Sequence, residues 1–254
     1  MAGVITRREL IAGVAAGGSS IALSACTGPT YNPIFQHNVL SLGEWLNYRV
    51  HRLIEGNALA PEFTESEMSP VFRTNGNTDP GTQEYQKLAG NEFADWRLRI
   101  DGLVISPTSY SLAQLQAMPS RTQITRHDCV EGWSAIGKWT GVQLSRLLDQ
   151  VGLQPNARFI VFHCADNFDG TPYYETIDLV DAFHPQTLLA YAMNNRPLSI
   201  GHGAPLRLRV ERQLGYKQAK YIMRVEAVAF LSGIGGGQGG YWEDEAGYYW
   251  YAGI

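Results

Sequence analysis

Arg126-His127-Asp128-Cys129-Val130-Glu131-Gly132-Trp133-Ser134 is the stretch on which the reading of this chain turns. Upstream, Thr122 to His127 reads as an alternating strand that leads directly into Cys129. Cys129 therefore stands where a strand gives way to a loop, a common place for a reactive group held by a rigid scaffold. Three chemistries are open to it. As a nucleophile it would need a base, and His127, two residues away on the same strand face, or His163 would serve. As a metal ligand its thiolate suits a soft or high-valent metal. As a structural residue it would pair with Cys164 in a disulfide.

The 254 residues are 44% hydrophobic, enough for a sizeable core, and 20 basic against 24 acidic residues leave a net charge of -4. No concentrated basic face marks a nucleic-acid partner. Thirteen Tyr, six Trp and 27 Gly suit a loop-rich protein around a buried polar ligand. The chain has three cysteines and no Cys-x-x-Cys pair, so no haem-attachment or iron-sulfur spacing is present.

The N-terminus reads as an export signal over residues 1–26. Arg7-Arg8 precede a modest apolar run from Ile11 to Leu23, too short to span a bilayer, where about 20 residues are needed. Paired arginines indicate the twin-arginine route, which carries folded proteins. Leu23-Ser24-Ala25-Cys26 resembles a lipobox that would anchor the chain through a lipid on Cys26; cleavage near Ala25 is the other reading. Either places the protein in the periplasm or outside the cell.

Residues 27–60 read as a linker and a helix opened by a capping box at Ser41-Leu42-Gly43-Glu44 and ended by Gly56. Periodicity fails from Pro61 to Gly90, a loop that is either functional or disordered, and Pro70 to Gly76 at its middle is a candidate binding loop. Strands are expected at Trp96 to Ile100, turning at Asp101-Gly102 into Leu103 to Ile105, then at Arg158 to His163, Leu206 to Val210 and Tyr221 to Leu231. Helices are expected from Ser111 to Met118, Val142 to Val151 and Asp178 to Phe183. Leu188 to Met193 is a buried strand or short helix before a turn at Asn194-Asn195. Strands mixed with short helices and no βαβ repeat give an α+β, β-rich fold, with a main domain over 61–232 and a Gly/aromatic tail, 233–254, packing on it. Gly235 to Gly240 matches Gly-x-Gly-x-x-Gly, but Tyr241-Trp242-Glu243-Asp244 opens no amphipathic helix, so it reads as a loop and not a dinucleotide site.

Two basic clusters follow, Gly201 to Arg207 and Arg212 to Lys220. Their glycines allow backbone close to a ligand, and Arg or Lys there would clamp a phosphate; a solvated face with turn glycines is the other reading of each cluster. A single available thiol supports no protein-only zinc or iron-sulfur site. A metal carried mainly by an organic ligand would need one protein thiolate, a phosphate clamp and an export route for folded protein.

Cys129 to Ser134, His202 to Leu208 and Gly215 to Lys220, in that order, resemble the sulfite oxidase family of molybdopterin-dependent oxidoreductases. They are most similar to its exported bacterial branch, which includes the periplasmic methionine-sulfoxide reductase catalytic subunit. The resemblance runs from about Pro70 to Phe230 and implies a mixed α+β molybdopterin-binding fold. It implies molybdenum-molybdopterin as cofactor, with Cys129 as the metal ligand. Arg207 would hold the pterin phosphate region beside Lys217 and the Gln218-Ala219-Lys220 segment, while Phe72, Arg73 and Asn75 would touch the pterin. Cys164 falls at a threonine of the reductase branch that contacts the cofactor, and His202 at an asparagine. Tyr173 or Tyr174 would be a substrate-side, catalytic tyrosine. The cysteine loop lacks the Ala-Gly-Asn-Arg-Arg continuation of sulfite oxidases proper, so their anion-binding arginines are not carried over. The implied activity is two-electron, oxygen-atom-transfer chemistry on a small-molecule sulfur- or nitrogen-oxide substrate, with a membrane b-type cytochrome as electron partner. A cysteine-nucleophile enzyme and a non-catalytic lipoprotein domain with a Cys129-Cys164 disulfide are the competing readings.

Overall fold

A computed structural model describes residues 41–54 and 58–254. The export signal, the Cys26 lipobox, most of the linker and the Gly56 helix stop lie outside the described residues. The chain divides after Ile54 into two compact units.

The first unit contributes one described helix, α1 (Ser41–Ile54). Leu42, Trp45, Leu46, Val50 and Leu53 repeat at helical spacing along it, and all are exposed. Arg49 lies over Trp45 and Arg52 over Tyr48, each four residues on, where helix side chains meet. No described helix is long and apolar enough to cross a membrane.

In the second unit two five-strand sheets share the chain. The first sheet has the order β2 (Thr108–Ser111), β1 (Arg97–Gly102), β10 (Ile222–Val228), β5 (Phe159–Phe168), β6 (Thr171–Asp178). The second runs β3 (Arg121–Cys129), β4 (Trp133–Gln143), β7 (Leu188–Met193), β8 (Arg196–Pro197), with β9 (Arg207–Arg209) also paired to β7. β1 and β10 pair in parallel and the other named pairs are antiparallel, an α+β arrangement.

Alternation does most of the local work. β1 buries Leu98 and Ile100 and exposes Arg97 and Arg99. Helix α4 (Leu144–Val151) buries Leu144, Leu147, Leu148 and Val151, one stripe at i, i+3, i+4, i+7. Each such side chain contributes about 2 kcal/mol by leaving water. They join Ile160, Phe162, Leu189, Leu208 and Val225 in the main core, while Trp139, Ala190, Met193, Leu198 and Ala204 form a second cluster.

Several elements differ from the sequence expectation. Asp101-Gly102 makes no hairpin, because β1 continues through Gly102 beside Ala227 and the second strand begins only at Thr108. A Cβ on Gly102 would press into the Ala227 carbonyl oxygen, so that glycine permits a close strand approach. Val142 and Gln143 pair with β7, so the helix expected from Val142 starts at Leu144. Inside the supposed loop, Thr82 caps α2 (Gln83–Gly90), its hydroxyl accepting from Tyr85 N. Tyr241-Trp242-Glu243-Asp244 does open a helix, α6 (Tyr241–Ala246), although no strand precedes it in the manner of a dinucleotide site. Ser111 does cap α3 (Leu112–Ala117) through a capping box with Gln114, and Asp178 caps α5 (Leu179–Ala182).

Gly141 marks the irregularity where β4 changes register on β7, and its Cβ would press into Leu189 O and stand 2.6 Å from Ala190 Cα. Both are backbone atoms that cannot swing aside. Gly141→Ala is expected to cost about 1–3 kcal/mol by overpacking, lowering Tm by roughly 3–10 °C in a domain of this size. Gly90→Ala, with nothing within 4 Å, is expected to change Tm by less than about 2 °C; thermal melts of the two variants check the difference.

Candidate molybdopterin site

The β3 strand buries Gln123, Thr125, His127 and Cys129 on one face, so the inward row that normally carries apolar residues is polar throughout. A buried polar face needs partners, and the second half of the chain brings them. Gln123 Nε2 donates to Gln186 O (3.0 Å) and to Glu211 Oε1 (2.8 Å). Arg209 forms a bidentate pair with Glu211, Nε–Oε1 3.0 Å and Nη2–Oε2 2.5 Å, and its Nη1 donates to His127 Nδ1 (3.1 Å).

Cys129 sits at the last pair of the β3–β4 hairpin, opposite Trp133. The three-residue loop closes through Gly132 N to Cys129 O (3.0 Å), with Gly132 at φ +84°, where a side chain would be strained. On the outer face Arg126 Nε and Ser134 Oγ both donate to Asp128, at 2.9 and 2.5 Å, and brace the hairpin from outside. Burial pushes the Cys129 thiol up, and the Glu131 carboxylate adds to that while Arg207 opposes it. Glu131 is turned partly aside, its Oε2 accepting from Trp133 Nε1 (3.0 Å).

His127 is not placed to act as a base. An arginine only donates, so the Arg209 contact makes Nδ1 the acceptor and leaves the proton on Nε2. Burial, and then Arg209 and Arg207, hold its pKa well below the usual histidine range. His163 Nε2 is instead paired with Glu226 Oε2 (2.8 Å) on the first sheet. Cys129 and Cys164 are both free thiols, which overturns the disulfide reading.

A cavity of about 170 Å³ opens at Cys129. Of the residues singled out in the sequence, Cys129, Asn75, Tyr173, Gln218 and Lys220 line it. Tyr173 OH donates to Tyr216 O (2.8 Å). Lys220 Nζ donates to the carbonyls of Asn75 (2.7 Å), Gly201 (3.1 Å) and Asn77, tying the early loop to the second basic cluster. Gly203 makes that approach feasible: a Cβ there would lie 2.9 Å from Lys220 Cβ and 3.3 Å from Arg207 Cβ.

Other expected contacts fall elsewhere. Tyr174 points to the opposite face of β6, its hydroxyl donating to Asp244 Oδ2 (2.5 Å) and Ile234 O. Lys217 departs furthest from the sequence reading. Its ammonium is fully buried between Glu175 Oε1 and Glu243 Oε1, 2.5 Å from each, and does not line the Cys129 cavity. Phe72 packs edge-on to Trp139 and Trp133 and against His127 and His202, closing the second core. His202 is held by Ser199 Oγ (2.8 Å) and Phe72 O (3.2 Å), and Ala219 is a core residue. Arg73 is exposed, and Cys164, half-buried, faces a different cavity containing Tyr85 and Met223.

The cavity walls that sequence reading missed are Asn77, Asp166, Phe168, Trp242 and Tyr248. Asp166 carried a signal, since it is two residues past Cys164 on the same strand. Trp242 and Tyr248 did not: they come from the tail, and stack at 6.1 Å.

Arg207 is the electrostatic exception. Arg209 has Glu211, Arg212 has Asp181 (2.6 Å) and Lys217 has two carboxylates. Arg207 is wholly buried, 5.2 Å from the Trp139 ring centre, and donates only Nη1 to His202 O (3.2 Å); among the described residues Nε and Nη2 have no partner. Burial, and then Arg209, lower its pKa to about 9, still cationic at neutral pH. Two unpartnered N–H groups on a buried guanidinium fit an anion such as a phosphate. Asn75 Oδ1 is likewise buried and without a partner among the described residues, an acceptor that suits the N–H edge of a heterocycle. Among the described residues no group of three or more His, Cys, Asp or Glu is placed to hold a metal. This donor set fits a metal carried by a phosphate-bearing organic ligand.

Comparison with known proteins agrees with that chemistry. The family model described as "Oxidoreductase molybdopterin binding domain" matches residues 86–232. A protein of Azospira oryzae named "Putative protein-methionine-sulfoxide reductase subunit YedZ1" is 39% identical over 201 residues, covering 79% of this chain and 70% of that one. The "Protein-methionine-sulfoxide reductase catalytic subunit MsrP" of Ralstonia nicotianae is 36% identical over 144 residues, 52% of this chain and 44% of its own. Among solved structures, sulfane dehydrogenase SoxCD from Paracoccus pantotrophus aligns with a TM-score of 0.49 and 23% identity, over 54% of this chain and 39% of that chain. The matched span contains Cys129, Arg207 and the Gln218 to Lys220 segment, and by this match the chain belongs to the oxidoreductase molybdopterin-binding domain family.

Proposed function

We propose that this chain holds molybdenum-molybdopterin through Cys129 and carries out oxygen-atom transfer on a small sulfur- or nitrogen-oxide. The observation that carries the reading is Arg207, a buried cation with no anion beside it among the described residues, in the same protein as the Cys129 thiol facing a cavity. Arg207 would bind the phosphate, Asn75, Gln218 and Lys220 the pterin edge, and Cys129 the metal. The bound group supplies two-electron redox chemistry at molybdenum. The chain's own part is to orient and to exclude: burial, with Arg209, holds His127 neutral two residues before the thiol, and Tyr173, Tyr216, Trp242 and Tyr248 wall the cavity against bulk water.

The N-terminal pattern supports folding in the cytoplasm followed by export, with Cys26 as a lipid-anchor candidate. Since the sequence has no haem-attachment or iron-sulfur spacing, electrons would be exchanged with a separate partner, for which the family resemblance suggests a membrane b-type cytochrome. A thiol-nucleophile reading has no base to support it, as His127 cannot readily accept a proton.

Protein from a molybdenum-competent host is expected to contain about one molybdenum per chain, and Cys129→Ser to lose at least nine-tenths of it, measured by elemental analysis. Arg207→Met is expected to lose pterin as well as metal, read as oxidised-pterin fluorescence. The cofactor-free Arg207→Met protein is expected to melt a few degrees higher than cofactor-free wild type, because an unpaired buried charge has been removed. A purely structural arginine would give the opposite shift.

Thiol titration of the cofactor-free protein separates ligand from nucleophile. With its pKa raised by burial, Cys129 stays protonated at pH 7, so alkylation by iodoacetamide is expected to be slow there and to accelerate only at a pH higher than an ordinary cysteine needs. A histidine-activated thiol would react fastest near neutrality.

A further inference from the structure

Asp166 occupies a position that the cofactor site does not explain. It lies within β5 where the strand loses register with β6, between His163 and Asn167, so its side chain leaves the sheet pattern. It lines the Cys129 cavity, and it also lines a second cavity of about 370 Å³ bounded by Tyr85, Cys164, Gly170, Pro172 and Glu84. Glu84, Gly170 and Pro172 are exposed, so the second cavity reaches solvent. Asp166 itself is 4% exposed, and its Oδ1 is buried with no hydrogen-bond partner among the described residues. A buried carboxyl oxygen without a donor costs least when the group carries its own proton.

We propose that Asp166 is the proton relay of this enzyme, passing protons from the solvent-facing cavity to substrate oxygen in the Cys129 cavity. The inference rests on the oxygen-transfer reading above. Reduction of a sulfoxide takes up two protons and two electrons and yields one sulfide and one water; the S=O bond breaks and two O–H bonds form. The electrons come from an external one-electron donor of the haem or dye class, which is oxidised twice. Each proton leaves the Asp166 carboxyl for the departing oxygen, and the carboxylate is re-protonated by water in the outer cavity. Fast relay requires that the group change charge near the working pH.

The surroundings support that requirement. Burial raises the Asp166 pKa, and Lys220 opposes the rise, bringing it to about 7. The same burial, with Arg207, lowers Lys220 to about 7. Tyr85, Tyr173, Tyr221 and Cys164 also face this carboxyl and are neutral across the working range, their own pKa values all raised by burial. Glu131 shares the inner cavity and Glu84 the outer. The sign follows: below about pH 7 the relay is loaded, and turnover falls as pH rises through that value.

The test uses the holoenzyme with reduced viologen and dimethyl sulfoxide. Wild-type kcat is expected to fall through about pH 7. Asp166→Asn is expected to lose about 100-fold in kcat and to lose that break, with molybdenum content and KM within about twofold. Asp166→Glu is expected to restore the break. Infrared pH-difference spectra of the protein, with or without cofactor, are expected to show a protonated-carboxyl band titrating near about 7 that is absent in Asp166→Asn. An Asn variant that loses molybdenum would make Asp166 a cofactor contact and overturn the relay, as would an unchanged pH break or the lack of that band. Failure of the parent reading shows separately, as wild-type protein without molybdenum.

Discussion

A buried positive charge must find a negative one, and most of this site follows from how that demand is met at four cations and left unmet at a fifth. Arg209, Arg212 and Lys217 each close on carboxylates, and Lys220 closes on backbone carbonyls. Those contacts tie β3, β6, β9, the early loop and the tail around one interior. Of these five, Arg207 keeps two N–H groups without a partner among the described residues, and a phosphate-bearing cofactor would complete the pattern. Holding a guanidinium unpaired in the interior is costly, so the arrangement makes physical sense as preparation for an anion.

The tail deepens the enclosure. Gly240 has no room for a side chain, since a Cβ would press on the Glu243 and Glu175 carboxylates, and this lets α6 deliver Glu243 to Lys217. The same helix carries Trp242 to the Cys129 cavity. One buried ion cluster therefore fixes the aromatic wall of the site, although none of its charges lines the cavity. Burial pushes the Glu175 pKa well up, with Lys217 opposing the rise.

Much of the fold was legible because its signals are local. Leu144 to Val151 shows its buried stripe, and Ser111 and Asp178 show their caps. The hairpin expected at Asp101-Gly102 failed because a glycine needed for close approach to Ala227 carries the same letter as one needed for a turn. Tyr173 and Tyr174 were indistinguishable in the sequence, yet strand alternation sends one to the cavity and the other to Asp244. Lys217 looked like a clamp because it lies in a basic run; its carboxylate partners are 26 and 42 residues away.

By itself the sequence determined the α+β class, the place of Cys129 at a strand end and, through motif order, the molybdopterin resemblance. These depend on short-range periodicity, turn chemistry and residue identity, which the chain carries locally. Only the tertiary structure decided which cations are compensated, which tyrosine faces the cavity, and that Asp166 stands between two cavities. Those outcomes depend on partners distant in sequence, and on a β-bulge whose effect exists only once β5 and β6 are paired.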